Sequence, residues 1–253
     1  MSKTRTNNIV LAPFLLFVVI VLSWELADKI FDFNKVILPS PSEIFLAFTE
    51  NYIILFKATS ITMIESILGF LLGSIIAYLL AILFLFSKTT REALYPYAIA
   101  LKSTPLIAIA PLLVLWFGNG MFSKVIMSAL VAFFPVLVNS VNGLNSVPKE
   151  LLELMSSLSA TSWKVLLKVR IPYSLDYLFS SLKIASSLAV VGAVIGEFIG
   201  STEGIGYLIN NASYYLDTSL MFAGIIMISI GGIAFFGFIS YLEQKVIFWK
   251  RDK

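Results

Sequence analysis

The chain has 253 residues, of which 58% are hydrophobic and 13% are charged, and its formal net charge is +3. A soluble domain of this length needs more charge to cover its surface, so the composition indicates a membrane protein. The sequence contains no cysteine and no histidine. A disulfide framework, a thiolate or histidine metal site and the usual general base are therefore excluded. We expect no cofactor, no metal ion and no nucleic-acid partner.

The N-terminal segment fits two alternatives. Lys3 and Arg5 precede an apolar run at 9–22, which is the pattern of the first two regions of a signal peptide. The residues that follow, from Ser23 to Ala27, make a poor cleavage site. We therefore expect a retained first span.

Long uncharged stretches predict the membrane spans, because a hydrocarbon core of about 30 Å needs about 20 apolar residues in a helix. Three prolines, Pro96, Pro105 and Pro111, punctuate the third stretch and make its bounds the least defined. The sequence predicts one all-α transmembrane domain over 1–253, with six spans at approximately 9–27, 58–87, 95–117, 121–145, 183–202 and 218–243.

Basic residues predict the orientation of these spans, because lysine and arginine are enriched in cytoplasmic loops. With the N-terminus inside, the outer side carries only a few of them, namely Lys29, Lys35, Lys57 and Lys124. The cytoplasmic side carries many more: Lys3, Arg5, Lys88, Arg91, Lys149, Lys164, Lys168, Arg170, Lys245, Lys250, Arg251 and Lys253. Both termini are therefore expected in the cytoplasm.

The first loop on the outer side, 28–52, contains two prolines that favour an extended backbone, Pro39 and Pro41. Ser42 is a suitable N-cap residue. We predict a short helix beginning near Glu43.

The one long polar interruption, 148–177, lies between the fourth and fifth spans. Its first half repeats apolar residues on one helical face, and its second half resumes the pattern up to Pro172. Ser159, with Thr161 and Ser162, provides a break and a cap. These features predict two short amphipathic helices joined by a turn. By spacing alone, the pair either lies in the membrane interface or contacts a partner. The apolar positions are Leu151, Leu154, Met155, Leu158, Trp163, Leu166 and Leu167.

Three ionisable residues lie near or inside the predicted spans: Glu65, Lys102 and Glu197. A charge in lipid is expensive and usually marks a pathway, a pair or a water-filled cavity. Glu65 and Glu197 are the candidate pathway or intramembrane polar residues, whereas Lys102 is expected to extend towards the headgroups. Small residues at four-residue spacing predict close helix packing, at Gly69, Gly73, Gly192 and Gly196.

The interruption resembles the cytoplasmic signature loop of binding-protein-dependent ABC importer permeases. That loop has Glu-Ala-Ala, then a glycine, then a Leu-Pro-like end. Here Glu153-Leu154-Met155 occupies the first position, Ser159 the glycine and Ile171-Pro172 the end. The chain is similar to the nitrate, sulfonate, taurine and pyrimidine-precursor branch over most of its length, in 38–41, 102–111, 115–120, 132–135, 196–199 and 204–209.

The resemblance implies the type I ABC importer permease fold, with a coupling-helix loop that docks on a cytoplasmic ATP-binding subunit. It also implies an extracytoplasmic solute-binding protein and a homodimer in the lipid, with the pathway where two copies meet. The chain itself would be no enzyme, since it lacks a phosphate-binding Gly-x-x-x-x-Gly-Lys loop. The implied coupling residues are Glu153, Leu154, Met155, Leu158, Ser159, Trp163, Lys164 and Pro172.

The sequence departs from the family pattern at two places in this loop. Leu154 and Met155 replace small alanines, and if Ser159 stands at a positive φ it costs about 1 kcal/mol relative to glycine.

Two other classes of membrane protein are less consistent with the sequence. A channel or secondary transporter without an ATPase explains the spans but not the 148–177 segment. A membrane enzyme that uses Glu197 and Glu203 lacks a base or a metal ligand to assist them.

Overall fold

The computed structural model describes residues 3–248, without the side chains of 3–10 and 101–103. The expectations for the side chains of Lys3, Arg5 and Lys102, and for the basic residues after 248, lie outside this description. Within it, all regular structure is helical. The helices are α1 Lys3–Phe31, α2 Pro41–Glu50, α3 Tyr52–Phe86, α4 Lys88–Ser103, α5 Leu106–Phe117, α6 Met121–Asn145, α7 Lys149–Ser157, α8 Ser162–Val165, α9 Ile171–Gly200, α10 Ile205–Tyr214 and α11 Thr218–Val246, with a π-helical turn at Leu166–Arg170.

The all-helical membrane fold predicted from the sequence is confirmed. In the described part of the chain, five helical stretches are long and apolar enough to cross a membrane, and α5 is a shorter apolar helix. The five are Leu11–Phe31, Tyr52–Phe86, Met121–Asn145, Ser162–Gly200 and Thr218–Val246.

The region predicted as the third span, 95–117, is not one helix. Helix α4 ends at Ser103 and α5 begins at Leu106. Pro105 has no N–H group and restricts the residue before it, so the chain breaks there. The 12 residues of α5 extend about 18 Å at 1.5 Å per residue. Pro96 and Pro111 lie inside helices without ending them.

The chain divides into two compact units. The first contains the residues up to Lys57 together with Leu208–Met227. The second contains Ala58–Tyr207 and the residues from Ile228 onward. The predicted segment 148–177 and the predicted polar residues belong to the second unit.

In the first unit, the short helix after the first span begins earlier than the sequence predicted. Its N-cap is Ser40, not Ser42, and Ser40 forms a capping box with Glu43. The reason is that Pro41 fits the first helical position, where no N–H group is needed. Ser42 instead donates its hydroxyl to Glu25 Oε1 at 3.0 Å.

Glu43 also forms an ion pair with Lys35. The hydrogen bond from Lys35 holds the pKa of Glu43 below its ordinary value, although burial opposes this shift. A carboxyl with a lowered pKa stabilises the fold above its ordinary value and loses that contribution as pH falls through the lowered one. The α2 cap is therefore expected to weaken only at acid pH.

In the second unit, α6 packs between α3 and α9 at very short distances. A Cβ atom built on Gly73 lies 2.3 Å from the carbonyl oxygen of Ala129, and one on Gly69 lies 2.4 Å from Ser128 Cβ. On the other side, a Cβ atom on Gly192 lies 2.8 Å from Ser128 Cα. Gly196 has more room, since its built Cβ lies 3.2 Å from Lys124 Cγ. Small residues at these positions permit the close helix contact.

Candidate functional site

Helix α7 is the first half of the predicted coupling segment and ends in a Schellman motif. The N–H of Ser159 donates to Ser156 O at 2.9 Å, and the N–H of Ala160 donates to Met155 O at 3.0 Å. This pattern places Ser159 at the position that usually holds glycine. Its φ is 52°, in the left-handed region. The serine thus stands where the family pattern has glycine, and the αL penalty of about 1 kcal/mol applies.

The apolar residues of the segment separate into two groups. Leu154, Leu158 and Trp163 are exposed, with relative accessibilities of 54%, 68% and 59%. We name these three residues the docking face. Met155, which the sequence placed with them, is half-buried against the chain itself. The polar residues Glu153 and Lys164 are exposed beside the docking face.

The inward side of α7 borders a cavity of about 300 Å³. Leu152 and Ser156 contribute to its wall from α7, and Leu85 and Phe86 from the end of α3. The centroids of the Trp163 and Phe86 rings are 6.3 Å apart. Helix α7 is thus attached to the bundle along one side only, and its opposite side has no cover within the described chain.

The second half of the segment is not a separate short helix. Thr161 caps it as N-cap, as predicted, with its hydroxyl accepting from the Lys164 N–H. The helix then continues from Ser162 to Gly200, a total of 39 residues. The prediction that it ends at Pro172 is wrong.

The π-helical turn at Leu166–Arg170 explains why Pro172 does not end the helix. Proline removes one backbone hydrogen bond and its ring clashes with the carbonyl four residues earlier. A π-helical turn widens the backbone there, with the N–H of Ile171 donating to Leu166 O. Arg170 fixes this region by donating from Nη1 to Leu144 O at 2.6 Å, near the end of α6.

The second candidate site surrounds Glu197, which is 1% exposed near the end of α9. Its Oε1 accepts from the Thr62 hydroxyl at 2.6 Å, and its Oε2 accepts from the Gly206 N–H at 2.5 Å. Thr62 Oγ1 in turn accepts from the Ile205 N–H at 2.8 Å. The N–H groups at a helix start have no partner within the helix. Thr62 and Glu197 therefore cap the first turn of α10.

Two other buried ionisable residues lie beside Glu197. Glu65 is 3% exposed and its carboxyl contacts that of Glu197. Lys124 is fully buried and interacts electrostatically with both carboxyls. We name Glu65, Lys124 and Glu197 the carboxyl cluster. Helix α3 begins at Tyr52, earlier than the predicted start of the second span near Ala58. Glu65 therefore lies 13 residues after the start of the helix, which is about 20 Å along its axis.

Sequence reasoning missed the role of Lys124, which it counted only as an outer-side basic residue. Its ammonium donates to Gly200 O at 2.5 Å, to Gly120 O at 3.2 Å and also to Asn119 O. A cation at a helix C-terminus satisfies free carbonyls and is favoured by the helix dipole. Lys124 thus binds the end of α9 and the α5–α6 turn together. The sequence did contain a signal for this role. Lys124 is the one charged residue between Lys102 and Lys149, and it follows the glycines Gly118 and Gly120 by a few residues.

Two glycines give Glu197 its space. Gly204 has φ +98°, and a Cβ atom built on it lies 2.0 Å from Glu197 Oε1. A Cβ atom on Gly206 lies 2.7 Å from Glu197 Oε2. A larger residue at Gly204 or Gly206 would therefore displace the carboxyl of Glu197. Among the described residues, no three acidic side chains are close enough together to hold a metal ion.

The family described as "Binding-protein-dependent transport system inner membrane component" matches residues 69–248 of this chain. The chain belongs to this family. A probable ABC transporter permease of Haemophilus influenzae is 37% identical over 94% of the chain and 97% of its own length. The formylaminopyrimidine transport permease ThiX of Halalkalibacterium halodurans is 32% identical over 96% of the chain and 97% of its own length.

The fold has a counterpart among solved structures as well. The permease superposes on a chain of the inward-facing MetNI methionine ABC transporter with a TM-score of 0.66. The match covers 76% of the permease and 94% of that chain, at 16% identity. The type I ABC importer permease fold and the assignment as an ABC importer permease are thus confirmed, and the alternative of an ATPase-independent channel or secondary transporter is not supported.

Proposed function

We propose that this permease imports a small solute by alternating access, driven by a cytoplasmic ATP-binding subunit that docks on Leu154, Leu158 and Trp163. The observation that carries this proposal is the exposure of these three large apolar side chains on a short helix between spans. Exposed apolar clusters of this kind mark interaction sites. Glu153 and Lys164 would orient the partner from the polar rim, with Met155, Ser159 and Pro172 shaping the segment.

A docked partner would move the permease through one continuous helix. The helix that begins at Ser162, beside the docking face, extends 39 residues to Gly200, about 58 Å at 1.5 Å per residue. A continuous helix of this length can transmit a displacement from one end to the other. Rocking of half-bundles is a common way to alternate access.

The topology belongs to the same proposal. With both termini in the cytoplasm, α7 and the turn at 158–161 face the ATP-binding subunit, and the positive-inside rule supports this orientation. The resemblance supports a homodimer with the pathway between the two copies. Glu197 is hydrogen-bonded within the chain and Glu65 is buried beside it, which favours a role as intramembrane polar residues over one as pathway lining.

The solute class follows from the relatives. Permeases named for formylaminopyrimidine, aliphatic sulfonates and taurine are 32%, 34% and 33% identical to this chain. A permease named for nitrate import is 25% identical. We infer a small polar solute of the nitrate, sulfonate, taurine or pyrimidine-precursor class, delivered by an extracytoplasmic binding protein.

Cysteine crosslinking tests the docking directly, because the natural chain has no cysteine. Leu158→Cys is expected to crosslink to the co-expressed ATP-binding subunit through a short bifunctional maleimide. The matched control is Leu79→Cys in the middle of α3, at a leucine that is 60% exposed. It should give no such product. Equal crosslinking from both positions, or none from Leu158→Cys, would contradict the proposal.

A further inference from the structure

The carboxyl cluster has an unbalanced charge. Glu65, Lys124 and Glu197 are 3%, 0% and 1% exposed, and each comes from a different helix, α3, α6 and α9. With all three ionised, two negative charges face one positive charge. Glu203, an exposed carboxyl in the turn after α9, adds a further negative charge nearby. An uncompensated charge inside the membrane is expensive.

Among the residues whose side chains are described, Lys124 is the positive group that acts on Glu65 and Glu197, and no other packed element supplies the missing charge. Helix α5 has no ionisable residue between Leu106 and Phe117. The first turn of α10 contributes backbone N–H groups at Ile205 and Gly206. Two ionised carboxyls would therefore leave one negative charge of the cluster uncompensated within the described chain.

The hydrogen bonds of the two carboxyls differ, and they indicate which group is ionised. Glu197 accepts two donors, one on each oxygen, from Thr62 and Gly206. Glu65 Oε2 is buried and accepts from no donor in the described chain. A buried carboxylate oxygen without a donor is costly. Two carboxyl groups in contact can form a hydrogen bond only if one of them carries a proton.

We propose that Glu65 and Glu197 form a proton-binding pair. One proton, carried by Glu65, is shared with the carboxylate of Glu197, and Lys124 balances the charge that remains. The bound proton keeps Glu197 in place as the cap of α10. Loss of the proton leaves two carboxylates in contact, which repel each other and weaken this cap.

Infrared spectroscopy of the full-length permease in lipid nanodiscs detects the proton. At neutral pH, the wild-type protein is expected to show the carbonyl band of one protonated carboxylic acid that resists exchange in deuterated buffer. Glu65→Gln should lack this band, because its amide donates to Glu197 without a titratable proton. Glu203→Gln, which changes an exposed carboxyl in the same region, should retain it. A wild-type protein without the band would overturn the proposal.

The pH dependence of thermal unfolding provides a second readout with a definite sign. Since the folded pair holds a proton that an exposed carboxyl releases, stability should fall as pH rises through the release of that proton. Glu65→Gln should not show this fall. If stability instead follows sodium concentration in choline-substituted buffers and the acid band is absent, a sodium ion occupies the pair and the proposal is wrong.

Discussion

Replacing both Leu154 and Leu158 by glutamate is expected to abolish association with the ATP-binding subunit and solute uptake. Each buried leucine contributes about 1.5–3 kcal/mol when it leaves water. Losing two such contributions, about 3–6 kcal/mol, weakens binding by at least about a hundredfold. Co-purification and uptake in membrane vesicles measure the two effects. The amount of folded permease should not change, because both side chains are exposed.

Lys149→Glu is the matched control for this double substitution. It changes the net charge of α7 by the same two units, since a lysine becomes a glutamate. At 100° per residue, Lys149 lies about 140° from Leu154 and about 180° from Leu158 around the helix. Association and uptake should therefore persist in this variant. If the double variant still recruits the ATP-binding subunit normally, or if Lys149→Glu is equally defective, the docking face is wrong.

Lys124→Met is expected to give the largest loss of stability among single substitutions in the carboxyl cluster. It leaves the carboxylate of Glu197 without its counter-charge and removes the donor to Gly200 O. Leaving a buried acceptor without its donor typically costs about 1–3 kcal/mol, and more when a charged group is involved. Thermal unfolding in detergent, followed by the loss of monodisperse protein, measures the effect.

Lys88→Met is the control for Lys124→Met, because it removes a positive charge from an exposed position. Lys88 forms a surface ion pair with Glu92, and its side chain is 88% exposed. Lys88→Met should change the unfolding temperature little, because exposed pairs contribute little. In the Glu197→Gln background, Lys124→Met should be less damaging than in the wild type, since one carboxylate has been removed. Equal effects of Lys124→Met and Lys88→Met would contradict the structural role given to Lys124.

The membrane class, the helical spans and the polar interruption after α6 could be predicted from the sequence, because each depends on local composition. The ends of the helices were harder to predict from the sequence. The cap of α2 is Ser40 because Pro41 fits inside the first turn, and the two serines were equally plausible by residue type. By residue type Pro172 is expected to end a helix, but a π-helical turn in the preceding residues accommodates it.

The carboxyl cluster was beyond sequence reasoning for a different reason. Glu65 and Glu197 are 132 positions apart, and Lys124 lies between them. Only the packing of α3, α6 and α9 brings the three together. A count of basic residues by loop assigned Lys124 to a membrane surface, whereas its ammonium binds the carbonyls at two helix ends.

The two sites lie at opposite ends of one helix. The docking face adjoins the helix at Ser162, and Glu197 and Gly200 lie at its other end, bound to α10 and Lys124. In the proposed mechanism, this helix would transmit a displacement of the ATP-binding subunit to the cap of α10. The mechanism requires that α7 faces the cytoplasm.

Thiol labelling in intact cells tests this requirement most directly. With a membrane-impermeant maleimide, Tyr215→Cys, in the turn before α11, should be labelled from outside. Ser157→Cys, at the end of α7, should be labelled only after the cells are permeabilised. Labelling of Ser157→Cys in intact cells would place α7 on the external face and contradict ATP-driven coupling through this segment.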